Sequence, residues 1–201
     1  MRLAILCATA TLALAGCGGP DNENAATAQG SAVMNGAPPG AAPAPPNPMP
    51  TNAQQYVSLA SGGDLFEIQS ARIALQKAES AQVKGLAQMI LADHQRSSSQ
   101  LASAGAQAQP PLTPAPVLNP SQQESIEALQ RTQGAAFDRE WLHQQVLAHQ
   151  SALDLAVAYA RGGDSAPLRQ QAAATIAAIQ THLARARQLE GEALAQPQPK
   201  Q

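Results

Sequence analysis

The sequence predicts an all-α domain, a bundle of four long helices with one short extra helix, and three observations carry that prediction. From about residue 53 to residue 195 the chain is rich in Ala, Leu and Gln and poor in aromatic and β-branched runs, a composition that favours helix. Its apolar residues recur at spacings of three and four, the period of a helix with one buried face. The interruptions are clusters of Gly, Pro and Ser, which end one helix and begin the next.

The first helix is expected from about Ala53 to Lys77. Leu65, Ile68, Arg72 and Leu75 fall on one stripe that is mainly apolar and is read as its packed face. Gly62-Gly63 is its weak point and is expected to bend it. Glu67 lies on a second, alanine-rich stripe with Ala71, Ala74 and Ala78. Ser80 is the expected N-cap of the second helix, in which Val83, Leu86, Ala87, Ile90 and Leu101 share a face. Gly105 and the proline-rich run Pro110 to Pro116 stop it, because proline removes a backbone donor and restricts the residue before it. The short helix starts at about Ser121, where Ser121-Gln122-Gln123-Glu124 has the form of a capping box.

Gly134 separates that helix from the fourth, expected from about Ala135 to Arg161, with Phe137, Trp141, Leu142, Val146, Leu153 and Tyr159 as its large core side chains. Gly162-Gly163-Asp164-Ser165-Ala166-Pro167 is a stop followed by a restart. The fifth helix then runs to about Ala195 on Leu168, Ile176, Ile179, Leu183 and Leu189, leaving residues 196–201 as a disordered tail. Two hairpins joined by a long crossover make a four-helix bundle of the ferritin-like kind. A simple up-and-down bundle is the alternative, and it would need a shorter link between the second and fourth helices.

The chain ahead of this domain reads differently. Met1-Arg2 precedes an apolar run from Leu3 to Leu14 and then Ala15-Gly16-Cys17, the layout of a signal peptide. The run is about 12 residues, where a membrane-spanning helix needs roughly 20. Leu14-Ala15-Gly16-Cys17 resembles the bacterial lipobox, which implies cleavage after residue 16 and lipid on Cys17. Cys7 would leave with the signal, so no disulfide is expected. Gly18 stands where an aspartate would favour inner-membrane retention in such lipoproteins, so the resemblance implies the outer membrane, facing the periplasm. Residues 17–52 shift to Gly, Ala, Asn and Pro and are read as a disordered tether, with too little apolar surface to offset the entropy of ordering.

Three of the four histidines stand where apolar residues are expected. His94 extends the buried stripe of the second helix, His149 lies between Val146 and Leu153, and His182 follows Ile179. At about 1.5 Å per residue, Glu67 and His94 lie about 19 and 21 Å from the turn that joins their helices, and His149 and His182 about 20 and 26 Å from theirs. The four are therefore expected to meet near mid-bundle. Imidazole and carboxylate suit zinc, copper or iron, so Glu67, His94, His149 and His182 are candidate ligands of a transition metal ion. The other reading is a hydrogen-bonded polar layer that fixes helix register. A di-iron oxidase is disfavoured, because such sites use Glu-x-x-His, and the residues three before the histidines are Leu91, Val146 and Ile179. His143 is expected at the surface. Asp138 is assigned to the start of the fourth helix through the helix dipole, and Asp93 to a partner of His94 or a surface charge.

Leu91-Ala92-Asp93-His94, Gly134-Ala135-Ala136-Phe137-Asp138, Val146-Leu147-Ala148-His149 and Thr181-His182-Leu183 together resemble the family called domain of unknown function 4142. The resemblance spans about Gln55 to Leu189 and implies an exported bacterial protein with a ferritin-like helical fold.

No nucleophile elbow, phosphate loop or paired-cysteine motif is present. With 12 basic and 14 acidic residues and 2% aromatics, nucleic-acid binding has no support. The leading functional reading is a non-enzymatic envelope module, anchored to the membrane by lipid on Cys17, that presents its bundle to another envelope protein. The alternative is a metal-binding or metal-dependent redox protein that uses the His/Glu cluster. An enzyme ranks third, and no organic cofactor is indicated.

Overall fold

The computed structural model describes residues 50–195; the expectations for the signal segment, Cys17, most of the tether and the tail lie outside the described residues. Five helices follow in order: α1 (Ala53–Lys77), α2 (Ala81–Ala106), α3 (Pro120–Arg131), α4 (Gly134–Gly162) and α5 (Ala166–Ala195). None of them is long and apolar enough to cross a membrane.

The helix starts are chemically explicit. Asn52 accepts from the N–H of Gln55 to begin α1, and the Ser80 hydroxyl accepts from Gln82 and Val83 to begin α2. The capping box of α3 is made by Asn119 and Gln122 with Pro120 at the first helical position, two residues before the box expected at Ser121. Gly134 opens α4 at φ 61°, a left-handed conformation that glycine adopts without steric cost.

Contacts at the helix ends fix the topology. The Asp164 N–H, in the turn between α4 and α5, donates to the Thr51 carbonyl at 2.9 Å, which puts the beginning of α1 beside that turn. At the other end Lys77 donates to the carbonyls of Leu129 and Gln130 at 2.8 and 2.7 Å, at the close of α3. Asp138 in the first turns of α4 accepts from the N–H groups of Glu79 and Ser80 at 3.1 and 2.8 Å. Asp138 therefore ties the α1–α2 turn to α4, a tertiary duty rather than the local helix-dipole role expected for it. α1 and α4 run antiparallel, α2 and α4 run the same way, and the chain from Gln107 through α3 is the crossover that returns it to the far end. That is the ferritin-like connectivity.

The crossover also corrects the expected packed face of α1. Leu65, Ile68 and Leu75 are only partly buried and Arg72 is exposed, whereas Glu67, Ser70, Ala71 and Ala74 are buried. The small-residue stripe faces the other helices because alanine permits close approach; Leu65 and Ile68 lie instead beneath Pro114 and Pro116 of the crossover. The helix also runs through Gly62-Gly63 without interruption. Gly62 serves the crossover, since a Cβ there would meet the Val117 carbonyl oxygen at 2.8 Å.

The apolar interior is divided into two clusters. One gathers Val83, Leu86, Ile90, Leu129, Phe137 and Trp141 near the α1–α2 turn. The other gathers Tyr56, Val57, Leu101, Tyr159 and Leu168 near the α4–α5 turn, with the two tyrosine rings stacked at 4.0 Å. Full burial of each large side chain contributes roughly 1.5–3 kcal/mol. Between the clusters lies a layer of buried polar side chains, among them Glu67, Ser70, His94, Gln145, His149 and His182.

Candidate metal centre

The polar layer is built by helical spacing. His94 stands one turn beyond Ile90 on the buried face of α2, so the pitch that buries Val83, Leu86 and Ile90 carries the imidazole inward. His149 and Gln145 are one turn apart on α4, and His182 lies between Ile179 and Leu183 on the inner face of α5. α1 contributes Asp64, Glu67 and Ser70 to the same level, and all three are buried.

Each imidazole is held by one nitrogen. His94 Nδ1 is 2.8 Å from Asp64 Oδ1, and the Ser98 hydroxyl approaches the other oxygen of that carboxylate at 3.2 Å. His149 Nδ1 lies 3.0 Å from the Gln145 carbonyl oxygen. His182 Nε2 lies 3.0 Å from Asp93 Oδ2. An oxygen acceptor at each of these atoms assigns the ring proton there. Of the opposite nitrogens, His149 Nε2 and His182 Nδ1 lie 3.2 Å apart and His94 Nε2 is buried without a protein partner. One ligand atom from each of the three rings can be chosen so that all lie within 4.8 Å of one another.

Of the four residues singled out in the sequence, the structure brings His94, His149 and His182 into mutual contact, with ring centroids 5.2 to 5.8 Å apart. Glu67 reaches the layer from another side. Its Oε1 is 3.6 Å from His149 Nδ1, the nitrogen already turned to Gln145, and Glu67 is not part of the convergent trio. Its second oxygen is buried and unpartnered. Asp93 is the partner of His182 rather than of His94. His143 is exposed, beside Glu190 at 2.9 Å. Sequence reasoning missed Asp64, Ser98 and Gln145. Asp64 carried a signal, since it precedes Glu67 by one turn on the stripe that continues to Ala71 and Ala74.

The electrostatics follow from burial and neighbours. Burial pushes the Glu67 carboxyl up to about 7, against the pull of His94 and a hydrogen bond from Gln145. Burial, then the nearby His94 and His182 rings, hold His149 down at about 3. Burial also lowers His182, opposed by its bond to Asp93. For His94 burial acts downward, but the Asp64 hydrogen bond and the charges of Glu67, Asp64 and Asp93 outweigh it and raise the ring above its ordinary value. His149 and His182 are thus kept neutral, the state a metal ligand requires.

A ferritin-like bundle with a histidine layer at mid-height is the class of protein these features define. The chain belongs to the family described as Domain of unknown function (DUF4142), which matches residues 37–189. Among solved structures it is similar to CopM in the Cu(II)-bound form, at 21% identity and a TM-score of 0.60, over 70% of this chain and 97% of that one. The apo form of CopM matches with a TM-score of 0.59 at 21% identity, again over 70% and 97%. The Cu(I)-bound form gives 0.58 at 21% identity, over 70% and 96%. At this identity the likeness is one of fold. Comparison with curated proteins gives no match.

Proposed function

We propose that this chain is an envelope-tethered binding protein for a copper-class transition metal ion, held at mid-bundle by His94 Nε2, His149 Nε2 and His182 Nδ1. The observation that carries the reading is the gathering of three histidines that can each offer one ring nitrogen within 4.8 Å of the others, each ring having one nitrogen set against an oxygen of Asp64, Gln145 or Asp93. Metal-bound histidines are commonly oriented in this way, by a carboxylate or carbonyl on the far nitrogen. The 3.2 Å separation of His149 Nε2 and His182 Nδ1 fits two nitrogens at about 2.0–2.1 Å from one ion. Imidazole suits copper and zinc. That CopM, of the same fold, has been seen with Cu(I), Cu(II) and Ag tilts the choice toward copper.

A purely structural polar layer accounts less well for the arrangement. Two imidazole lone pairs would face each other at 3.2 Å, and His94 Nε2 would stay buried with no partner, whereas native interiors pair nearly all such atoms. The lipid anchor at Cys17 and a station at the outer membrane complete the proposal and rest on the first residues of the sequence alone. Binding rather than turnover is the role proposed, the carboxylates beside the trio serving to orient its rings.

The test is elemental analysis of the full chain after loading with Cu(II) or Ag(I) and desalting. About one ion per chain is expected, with His149→Ala reducing it to background. A wild-type chain that retains no ion rejects the proposal.

A further inference from the structure

Resting on that reading, we infer that Asp93 is the outer carboxylate through which a cation reaches the three histidines, and that Arg96 competes with the cation for it. Asp93 divides its two oxygens between the interior and the surface. Oδ2 faces His182 Nε2 at 3.0 Å, and Oδ1 faces the Arg96 guanidinium at 2.6 Å. The side chain of His182 is 1% exposed, that of Asp93 26% and that of Arg96 65%, so the three form a graded path from the layer to solvent. Among the other groups that hold the layer, the side chains of Asp64 and Glu67 are 7% and 5% exposed and Gln145 is fully buried, while Ser98 beside Asp64 is half-buried.

The surroundings agree. Arg96 forms one end of an open groove of about 370 Å³ between α2 and α5, whose walls include Ser99, Gln100, Gln170, Gln171 and Ala174. Its other polar lining groups are hydroxyls and amides, and Arg96, the one charged side chain among them, repels an arriving cation. Asp93 lies behind Arg96 rather than in the groove lining, and is the anionic side chain that joins that arginine to a histidine of the trio. To use it, the ion must displace from Oδ1 the largely exposed Arg96 guanidinium, which solvent screens and which is therefore weakly held. A cation on Asp93 also competes with the His182 N–H for the same carboxylate. That would loosen the ring whose Nδ1 faces the layer, and would let the ion pass from the oxygen ligand to the nitrogen ligands.

The experiment measures uptake of Cu(II) by the full metal-free chain in stopped flow, and its release to a chromophoric chelator. The variants are Arg96→Ala, Asp93→Asn and Arg131→Ala, the last removing an equally exposed arginine that pairs with Glu127 on α3. Uptake and release both several-fold faster in Arg96→Ala, at least tenfold slower uptake in Asp93→Asn, and wild-type rates in Arg131→Ala are expected. If Arg96→Ala and Arg131→Ala behave alike while the wild type still binds its ion, the gating role is overturned and the centre stands. Retention of normal uptake by Asp93→Asn overturns the role of the carboxylate. A wild type that takes up no ion overturns both the centre and its access route.

Discussion

His149 Nε2 and His182 Nδ1 face each other across 3.2 Å while the far nitrogen of each ring is engaged by an oxygen. Two neutral imidazoles so arranged present lone pair to lone pair, and in the proposed centre a cation between them would convert that repulsion into two bonds.

Such a bond to the folded state alone must stabilise it. At a free-ion concentration one hundred times Kd the gain is about 2.7 kcal/mol, a rise in thermal midpoint of roughly 5–10 °C for a domain of this size. Chelation should reverse it, His182→Ala should abolish it, and the surface variant His143→Ala should keep it. Melting curves followed by circular dichroism with and without Cu(II) decide; an unchanged shift in His182→Ala would count against the centre.

Asp64 acts on the ion through His94. In Asp64→Asn the amide fills the same space, but the charge-assisted bond to Nδ1 at 2.8 Å is lost. Orienting partners of this type are worth about 10–100-fold in metal affinity. Competition with a calibrated chelator should show a loss in that range with the helical circular dichroism signal retained. Wild-type affinity in this variant would show that His94 needs no such support.

The metal-free protein should show opposed pH dependences from Glu67 and His149. Glu67 has an ordinary value of 4.5 and is raised to about 7, so its contribution is complete below pH 4.5 and is lost as pH rises through 7. His149 has an ordinary value of 6.5 and is lowered to about 3, so its contribution is present above pH 6.5 and is lost as pH falls toward 3. Glu67→Gln removes the buried charge that forms in alkali. Its thermal midpoint relative to wild type should therefore be higher at pH 8.5 than at pH 4.5, measured in chelator. A difference that is the same at both values, or reversed, contradicts the assignment.

The crossover depends on Gly105. Its carbonyl accepts the Leu112 N–H at 2.9 Å, and a Cβ there would meet the Leu112 carbonyl oxygen at 2.5 Å. Gly105→Ala should cost about 1–3 kcal/mol by overpacking against backbone. On the same helix Gly85 has nothing within 4 Å of its would-be Cβ, and Gly85→Ala should stabilise by roughly 0.5–1 kcal/mol. Urea unfolding of the pair separates the effects, and a neutral Gly105→Ala would mean that the crossover yields.

Much of the helical plan was legible locally. Ser80 begins α2, glycines and a proline mark the turn between α4 and α5, and the stripe Val83, Leu86, Ile90 runs on to His94, because capping and 3.6-residue periodicity are properties of short segments. The packed face of α1 was not legible. Hydropathy favours Leu65 and Ile68, yet Ala71 and Ala74 are the residues buried, since close helix approach rewards small side chains and the crossover shelters the leucine and isoleucine from outside. Asp138 was likewise misassigned, because its partners Glu79 and Ser80 are nearly sixty residues away.

Taken alone, the order of residues determined the five helices, their approximate ends and the inward setting of three imidazoles, all consequences of spacing along one chain, and its motifs resembled a helical family. Only the tertiary structure decided that Asp64 holds His94, that Asp93 holds His182 and that Glu67 stands apart from the trio. Those pairings join different helices, and the rotation and axial offset of one helix against another come from packing, which no single segment encodes.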